Sequence, residues 1–378
     1  MRFALPELIQ LSRNVANRFA QPSAIGLFLG RDSVNLVQME ETDKYLRVRA
    51  LAAIPMPNAR VECIQHPQRL RDTIRRAKAS HPFAGSKVVS SLSAQVVKIS
   101  MMDYKRLRGQ SDEQCLVAEL RERMGADLDE MVVDFINLRQ NESETEVGEA
   151  LVAMAPKRDV VAYLEALTAA GLNVQSLDVG PNALARVVRH SGAQNWSDFP
   201  KLPNALVMNV GEHSSFLSVI WGRRLILDRP IQFSESRLVA RLVAVLGMTD
   251  DLARHLLHHL EGPSGDILDT KHAVLEVLHP EIQSLQQEIN KTLVYMASKT
   301  RGKSVDVIHL VGSATRYPSL LAGLEKALQV PIMPVNPIGM FAVRAADSMA
   351  DPTLGMKSGI VMATGLALRE FSERPAWI

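Results

Sequence analysis

Apolar and polar positions alternate with a period of two over residues 24–37 and again over residues 205–219, about half a chain apart. Each stretch opens on an apolar run, reaches a glycine, places a serine three residues later and resumes the alternation. That is the pattern of a strand, a tight turn and a returning strand. Laid over one another without a gap, Gly30 falls on Gly211, Ser33 on Ser214 and Phe28 on Asn209. A device used twice predicts two duplicated lobes facing one cleft.

Between the two hairpins, residues 45–54 alternate as a third strand closed by Pro55 and Pro57. Residues 67–79 have helical spacing through Leu70, Ile74 and Ala77, and residues 87–99 read as one or two strands. Ser111 stands as an N-cap before the acidic residues Asp112 and Glu113, which predicts a helix over 111–124. A strand at 131–138, a polar loop at 140–146 and a strand at 150–155 complete a small inserted α+β unit. Helix is predicted over 156–170, stopped by Gly171, then a strand at 173–177 and a helix from Pro181 to about His190. Residues 191–203 are polar and punctuated by proline, as a linker is.

Past the second hairpin, Trp221-Gly222-Arg223 turns into a strand at 225–229, and two helices lie within 236–261. A long amphipathic helix over 280–299 puts Ile282, Leu285, Ile289, Leu293 and Met296 on one face. A strand at 305–311 leads into Gly312-Ser313-Ala314, Pro318 opens another helix, and 359–370 form a helix rich in small residues. Strands and helices alternate in both halves, which makes the fold class α/β. The expected organisation is an arm at 1–21, a first lobe at 22–100 continued at 158–200, an insert at 101–157, a second lobe at 201–350 and a closing segment at 351–378.

Composition narrows the partners. The net charge of +2 from 43 basic and 41 acidic side chains gives no chain-wide field, and aromatics make up 5%, so no nucleic-acid binding is expected. Two cysteines, Cys63 and Cys115, are too few for a disulfide framework and favour a reducing, cytoplasmic setting. No apolar run is long enough to span a bilayer, so no transmembrane segment is expected. Leu8, Ile9, Val15 and Phe19, with Arg13 and Arg18 nearby, give the arm a short apolar stripe that suits a docking arm better than a membrane-surface helix.

A glycine hairpin can bring backbone N–H groups close to a phosphate. Gly30 and Gly211, with Arg31, Ser33, His213 and Ser214, are therefore candidate anion-binding residues. A magnesium nucleotide also needs a carboxylate near positions 28 and 209, and Phe28 and Asn209 supply none. His255, His258 and His259 have helical ligand spacing but no H-E-x-x-H pattern, so a surface cluster is expected rather than zinc. Ser90, Ser91 and Ser93 lack a nucleophile elbow and read as strand-edge residues, and Met101-Met102 as core filling at a junction.

Taken in order, these segments resemble the PilM branch of the actin-like ATPases, cytoplasmic proteins of type IV pilus assembly related to FtsA. The likeness rests on Ala24-Ile-Gly-Leu-Phe-Leu-Gly30, the run from Ala150 through Pro181, Glu288-Ile-Asn-Lys-Thr-Leu-Val-Tyr295 followed by the strand to Gly312, residues 331–337, and Gly365-Leu-Ala-Leu-Arg369. It implies an actin-like, ribonuclease H-like fold, a nucleotide cleft closed on the adenosine side by Gly312 and Ser313, and an insert that helps form a groove for the cytoplasmic tail of an inner-membrane PilN-like partner. It also implies a homo-oligomer, held at the inner membrane through that partner.

Against the family pattern, Phe28 and Asn209 stand where aspartates would be, Gly180 where the connecting-helix acid would be, and the adenosine turn is reduced to Gly312-Ser313-Ala314. ATP or ADP can still be held by the turns, no metal ligands are expected, and a pseudo-ATPase scaffold is the leading expectation. The alternative is an active ATPase or small-molecule kinase with Asp32, the acid inside the first hairpin, as its catalytic group. A related type II secretion component is a further reading, but those continue into a membrane span.

Overall fold

Both hairpins form in the computed structural model, which describes residues 22–42, 46–138, 147–191, 203–221, 224–258, 268–299, 302, 304–343 and 358–372. The arm, the loop at 140–146, the turn at 222–223 and nearly all of the linker lie outside the described residues.

In chain order the first lobe begins with β1 (Ile25–Leu29), β2 (Ser33–Glu41) and β3 (Leu46–Pro55), then α1 (Ala59–Gln65), α2 (Pro67–Ser80) and β4 (Lys87–Ser91). The insert contributes β5 (Lys98–Lys105), α3 (Asp112–Met124), β6 (Met131–Asn137) and β7 (Val147–Pro156). Ser111 caps α3 reciprocally: its Oγ accepts from the Gln114 N–H at 3.2 Å, and Gln114 Oε1 accepts from the Ser111 N–H at 2.9 Å. The chain returns to the first lobe through α4 (Lys157–Ala169), β8 (Asn173–Asp178) and α5 (Gly180–Ser191).

The second lobe holds β9 (Ala205–Val210), β10 (Ser215–Trp221), β11 (Arg224–Ile231), α6 (Glu235–Leu246), α7 (Asp250–His258), α8 (Leu268–Lys299), β12 (Val307–Gly312), α9 (Pro318–Leu328) and β13 (Ile332–Pro334). After α10 (Pro337–Met340), β14 (Ala342–Val343) returns to the first sheet, and α11 (Ser358–Ala367) and α12 (Arg369–Ser372) close the chain. The sheets run β14-β3-β2-β1-β4-β8 in the first lobe, β11-β10-β9-β12-β13 in the second and β5-β7-β6 in the insert.

Three expectations change. The long helix begins at Leu268, so Pro280 sits inside it instead of opening it; Val274, Leu278 and Leu285 are buried on both sides of the proline and anchor the helix on either side of it. A short helix, α1, follows β3, too brief to show a helical period. Ser90 and Ser91 lie on a strand flanked by β1 and β8, not on an edge.

The second lobe's core packs its sheet against α6, α7, α8 and α9. Between the lobes, Leu184 and Val188 of α5 join Val207, Ile220 and Val311 of the second sheet and Ile360 and Ala363 of α11 in one apolar cluster. Every residue of α11 from Ile360 to Ala367 is buried, because the helix is covered by β1, β2 and α5 at once. Such closeness needs missing side chains. A Cβ on Gly26 would stand 1.9 Å from the Ala363 carbonyl oxygen, and one on Gly365 would stand 2.0 Å from that of Ala183. Gly180, where the resemblance implies an acid, likewise faces the Met362 methyl, 2.8 Å from where its Cβ would be.

Candidate functional site

The two turns obey the sequence repeat in their hydrogen bonds. Gly30 N–H donates to the Ser33 carbonyl at 2.9 Å, and Gly211 N–H donates to the Ser214 carbonyl at 3.1 Å. The equivalence continues one rung down, with a swap. Phe28 faces Asn35 across the first hairpin, and Asn209 faces Phe216 across the second, so each lobe carries one asparagine and one phenylalanine at that rung, on exchanged strands.

The amides of Gly30 and Gly211 themselves are spent on closing their hairpins, so an anion at these turns would be met by the turns' other groups and not by these two N–H groups. A Cβ on Gly211 would lie 2.4 Å from the Ser214 carbonyl oxygen, and Gly312, at φ 94°, would set its Cβ 2.1 Å from the Val210 carbonyl oxygen. These glycines are required by the chain's approach to itself. Ser313 Oγ donates to the Val210 carbonyl at 3.3 Å, which ties the Gly312-Ser313 turn to the Gly211 turn. Arg31 is exposed, and its carbonyl accepts from the Ala59 N–H at 2.7 Å. His213 lies 3.4 Å from Glu212 beside its turn.

Across the cleft floor the lobes meet at the start of α11. Asn35 is 1% exposed and turns its amide back on the first hairpin, donating to Ser33 Oγ at 3.0 Å and to the Ser33 and Phe28 carbonyls. The Asn35 amide packs against Gly359, where a Cβ would be 2.3 Å from Nδ2. One residue earlier, Ser358 Oγ donates to Asn209 Oδ1 of the second lobe at 3.3 Å. Asn35, Gly359, Ser358 and Asn209 thus form a chain of contacts from lobe to lobe. A magnesium nucleotide placed here would meet an aromatic ring and two amides where it needs anionic oxygens, so the donor set does not fit it. Among the described residues no three His, Cys, Asp or Glu side chains are grouped to hold a metal ion.

The second sheet does carry a carboxylate on the Asn209 face. Val207, Ser218 and Asp228 form the neighbouring rung on that face, and His309 extends it onto β12. Asp228 accepts from Ser218 Oγ at 2.6 Å, and burial pushes its carboxyl up to about 6. Burial drives His309 the other way, down to about 4, so it is neutral at pH 7.

Beside the Gly312-Ser313 turn lies a polar hub. Glu235, 3% exposed, pairs with Arg316 at 2.9 Å and meets His258 Nε2 at 3.1 Å. Burial would raise its carboxyl, but the Arg316 charge together with the His258 hydrogen bond and its other polar neighbours outweighs burial and holds Glu235 below the ordinary range. His258 is therefore a carboxylate partner; His259 lies outside the described residues. A second buried cluster joins β8, α5 and α12: Asp178 accepts from Arg186 at 2.5 Å and from Arg369 at 3.1 Å.

The sequence reading missed Asn35, Ser358 and Glu235. Asn35 was within reach, since cross-strand pairing opposite Phe28 follows from the turn length. Ser358 and Glu235 act through tertiary contacts that no local pattern reveals. Of the methionine pair, Met102 is buried in the insert core while Met101 meets the Tyr295 hydroxyl of α8.

A family model described as type IV pilus assembly protein PilM matches residues 26–371. No curated protein matches the sequence. Among solved structures, the PilM-PilN type IV pilus biogenesis complex aligns with a TM-score of 0.71 at 23% identity, covering 92% of this chain and 98% of that one. MreB 5 of Spiroplasma citri bound to AMPPNP aligns with a TM-score of 0.48 at 9% identity, covering 93% and 96%. Ethanolamine utilization protein EutJ from Carboxydothermus hydrogenoformans aligns at 0.45 and 12%, covering 91% of each chain. The fold is the actin-like one that the sequence resemblance implies, two lobes and an inserted subdomain around a cleft.

Proposed function

Because the chain belongs to the PilM family of type IV pilus assembly proteins, we propose that it is a scaffold of pilus assembly that captures the cytoplasmic tail of a PilN-like inner-membrane protein along its first lobe and insert, without turning over ATP. The observation that supports the absence of turnover is the Phe28-Asn35 and Asn209-Phe216 rung, which carries uncharged side chains in both lobes. Metal stabilisation of a transferring phosphoryl group is worth several kcal/mol, hence orders of magnitude in rate. With no acid at that rung, the step loses it. Support for tail capture comes from a solved PilM-PilN complex of the same fold.

No described helix is long and apolar enough to cross a membrane, so in this reading the chain reaches the inner membrane through its partner. Self-association belongs to the same reading; Val245, Leu246 and Leu252, exposed on adjoining helices, offer apolar surface for it. The kinase reading gains nothing from Asp32, which sits on the turn and engages Met56 through its carbonyl.

Calorimetry with the tail of its PilN as a synthetic peptide, beside a phosphate-release assay with magnesium ATP, tests both halves. Saturable peptide binding with no ATP turnover is expected. Turnover that disappears in Asp32→Ala would establish the enzyme instead, and a peptide that does not bind would remove the scaffold.

A further inference from the structure

Arg60 of α1 turns its guanidinium inward. Cζ stands 4.6 Å from the centroid of the Tyr163 ring, and Nη2 donates to the Ser91 carbonyl at 3.4 Å, the long end of the hydrogen-bond range. The ring beneath it is fixed. Tyr163 is 1% exposed, its hydroxyl lies 2.7 Å from Ser90 Oγ, and Ser90 Oγ donates to the Leu27 carbonyl at 2.8 Å.

Several other guanidiniums that turn inward are neutralised: Arg47 and Arg49 by Glu40, Arg106 by Asp112, Arg186 by Asp178. Among the described residues, no carboxylate pairs with Arg60. Burial lowers its pKa from the ordinary arginine value, with Tyr163 opposing, and no acidic group contributes. A half-buried cation that has only a ring face and a carbonyl for company is incompletely compensated, so the fold holds here something it does not itself complete. Most of the five guanidinium N–H donors remain unspent, in a planar fork that matches a carboxylate.

The place is also informative. Ser91 is the last residue of β4, after which the chain leaves the first lobe for β5 of the insert. Tyr163 belongs to α4, which begins directly after β7 brings the chain back. Arg60 therefore marks the seam between lobe and insert.

We propose that Arg60 is the receptor for a carboxylate of the partner's cytoplasmic tail, a fork held on the Tyr163 ring and completed as an ion pair only when the tail is bound. This rests on the tail-capture reading above.

The test is a double-mutant cycle by calorimetry. Wild type, Arg60→Met and Arg60→Lys are titrated with the PilN tail peptide, its C-terminus amidated, and with the same peptide after every Asp or Glu is changed to Asn or Gln. Expected is a loss of about 10- to 100-fold in affinity for Arg60→Met and for the neutralised peptide, with no further loss when both are combined. Arg60→Lys retains part of the affinity, since a point charge replaces the fork. The melting temperature of free Arg60→Met stays level or rises, because an unpaired half-buried charge has gone. Equal affinity of wild type and Arg60→Met for the native peptide, or additive losses, overturns the assignment and leaves tail capture standing. A melting temperature that falls by several degrees alongside lost binding overturns it as well, making Arg60 a structural residue. Absence of any peptide binding to wild type defeats tail capture itself.

Discussion

Asp228 and Asp178 are buried carboxylates whose surroundings push them in opposite directions. Asp228 has one hydroxyl donor, Ser218, and burial raises it to about 6 from an ordinary 3.8. Because the folded value exceeds the unfolded one, the native state is penalised as pH rises from about 4 through 6, and the full penalty, on the order of 3 kcal/mol, applies above that. Asp228→Asn should therefore raise stability by about 1–3 kcal/mol at pH 7.5 and change it little near pH 4, as read by urea unfolding. At Asp178 burial also acts upward, but Arg186 overrides it, with Arg369 and the Val179 N–H, and holds the carboxyl below its usual range. Its contribution is present above the unfolded value and is lost as pH falls through the folded one. Asp178→Asn leaves Arg186 buried without its partner and should cost about 3–5 kcal/mol at pH 7, less in acid.

At the level of elements, α11 shows how one missing side chain sets a packing distance. Gly26→Ala would drive a methyl group into the Ala363 carbonyl, a backbone atom that cannot rotate aside. Destabilisation of about 3 kcal/mol, the upper end for overpacking, is expected in thermal unfolding. The reason for Gly26 was not legible in the sequence, although the strand around it was. Alternation exposed both hairpins, the Ser111 cap exposed α3, and the glycine-serine spacing exposed the repeat of the two turns. Where local pattern and global packing diverge, the sequence is silent or misleading. A helix of seven residues shows no period, Pro280 reads as a start because its neighbours' burial is invisible, and the close approach of Gly211 and Gly312 to the Ser214 and Val210 carbonyls leaves no local mark. No local pattern marks Arg60; only the Tyr163 ring beneath it does.

Taken whole, the molecule is fastened from end to end. β1 opens the described chain, yet its outer face is sealed by α11, the element that also hands Ser358 to the second lobe. A chain shortened to end at residue 357 should therefore keep protection of its β9–β13 amides in hydrogen exchange while those of β1, β2 and β4 exchange freely; equal protection of both sheets would disprove this dependence. A ribosome makes the strand long before its cover. Until α11 has followed, the nascent first lobe must display an oily strip, the kind of surface on which chaperones act.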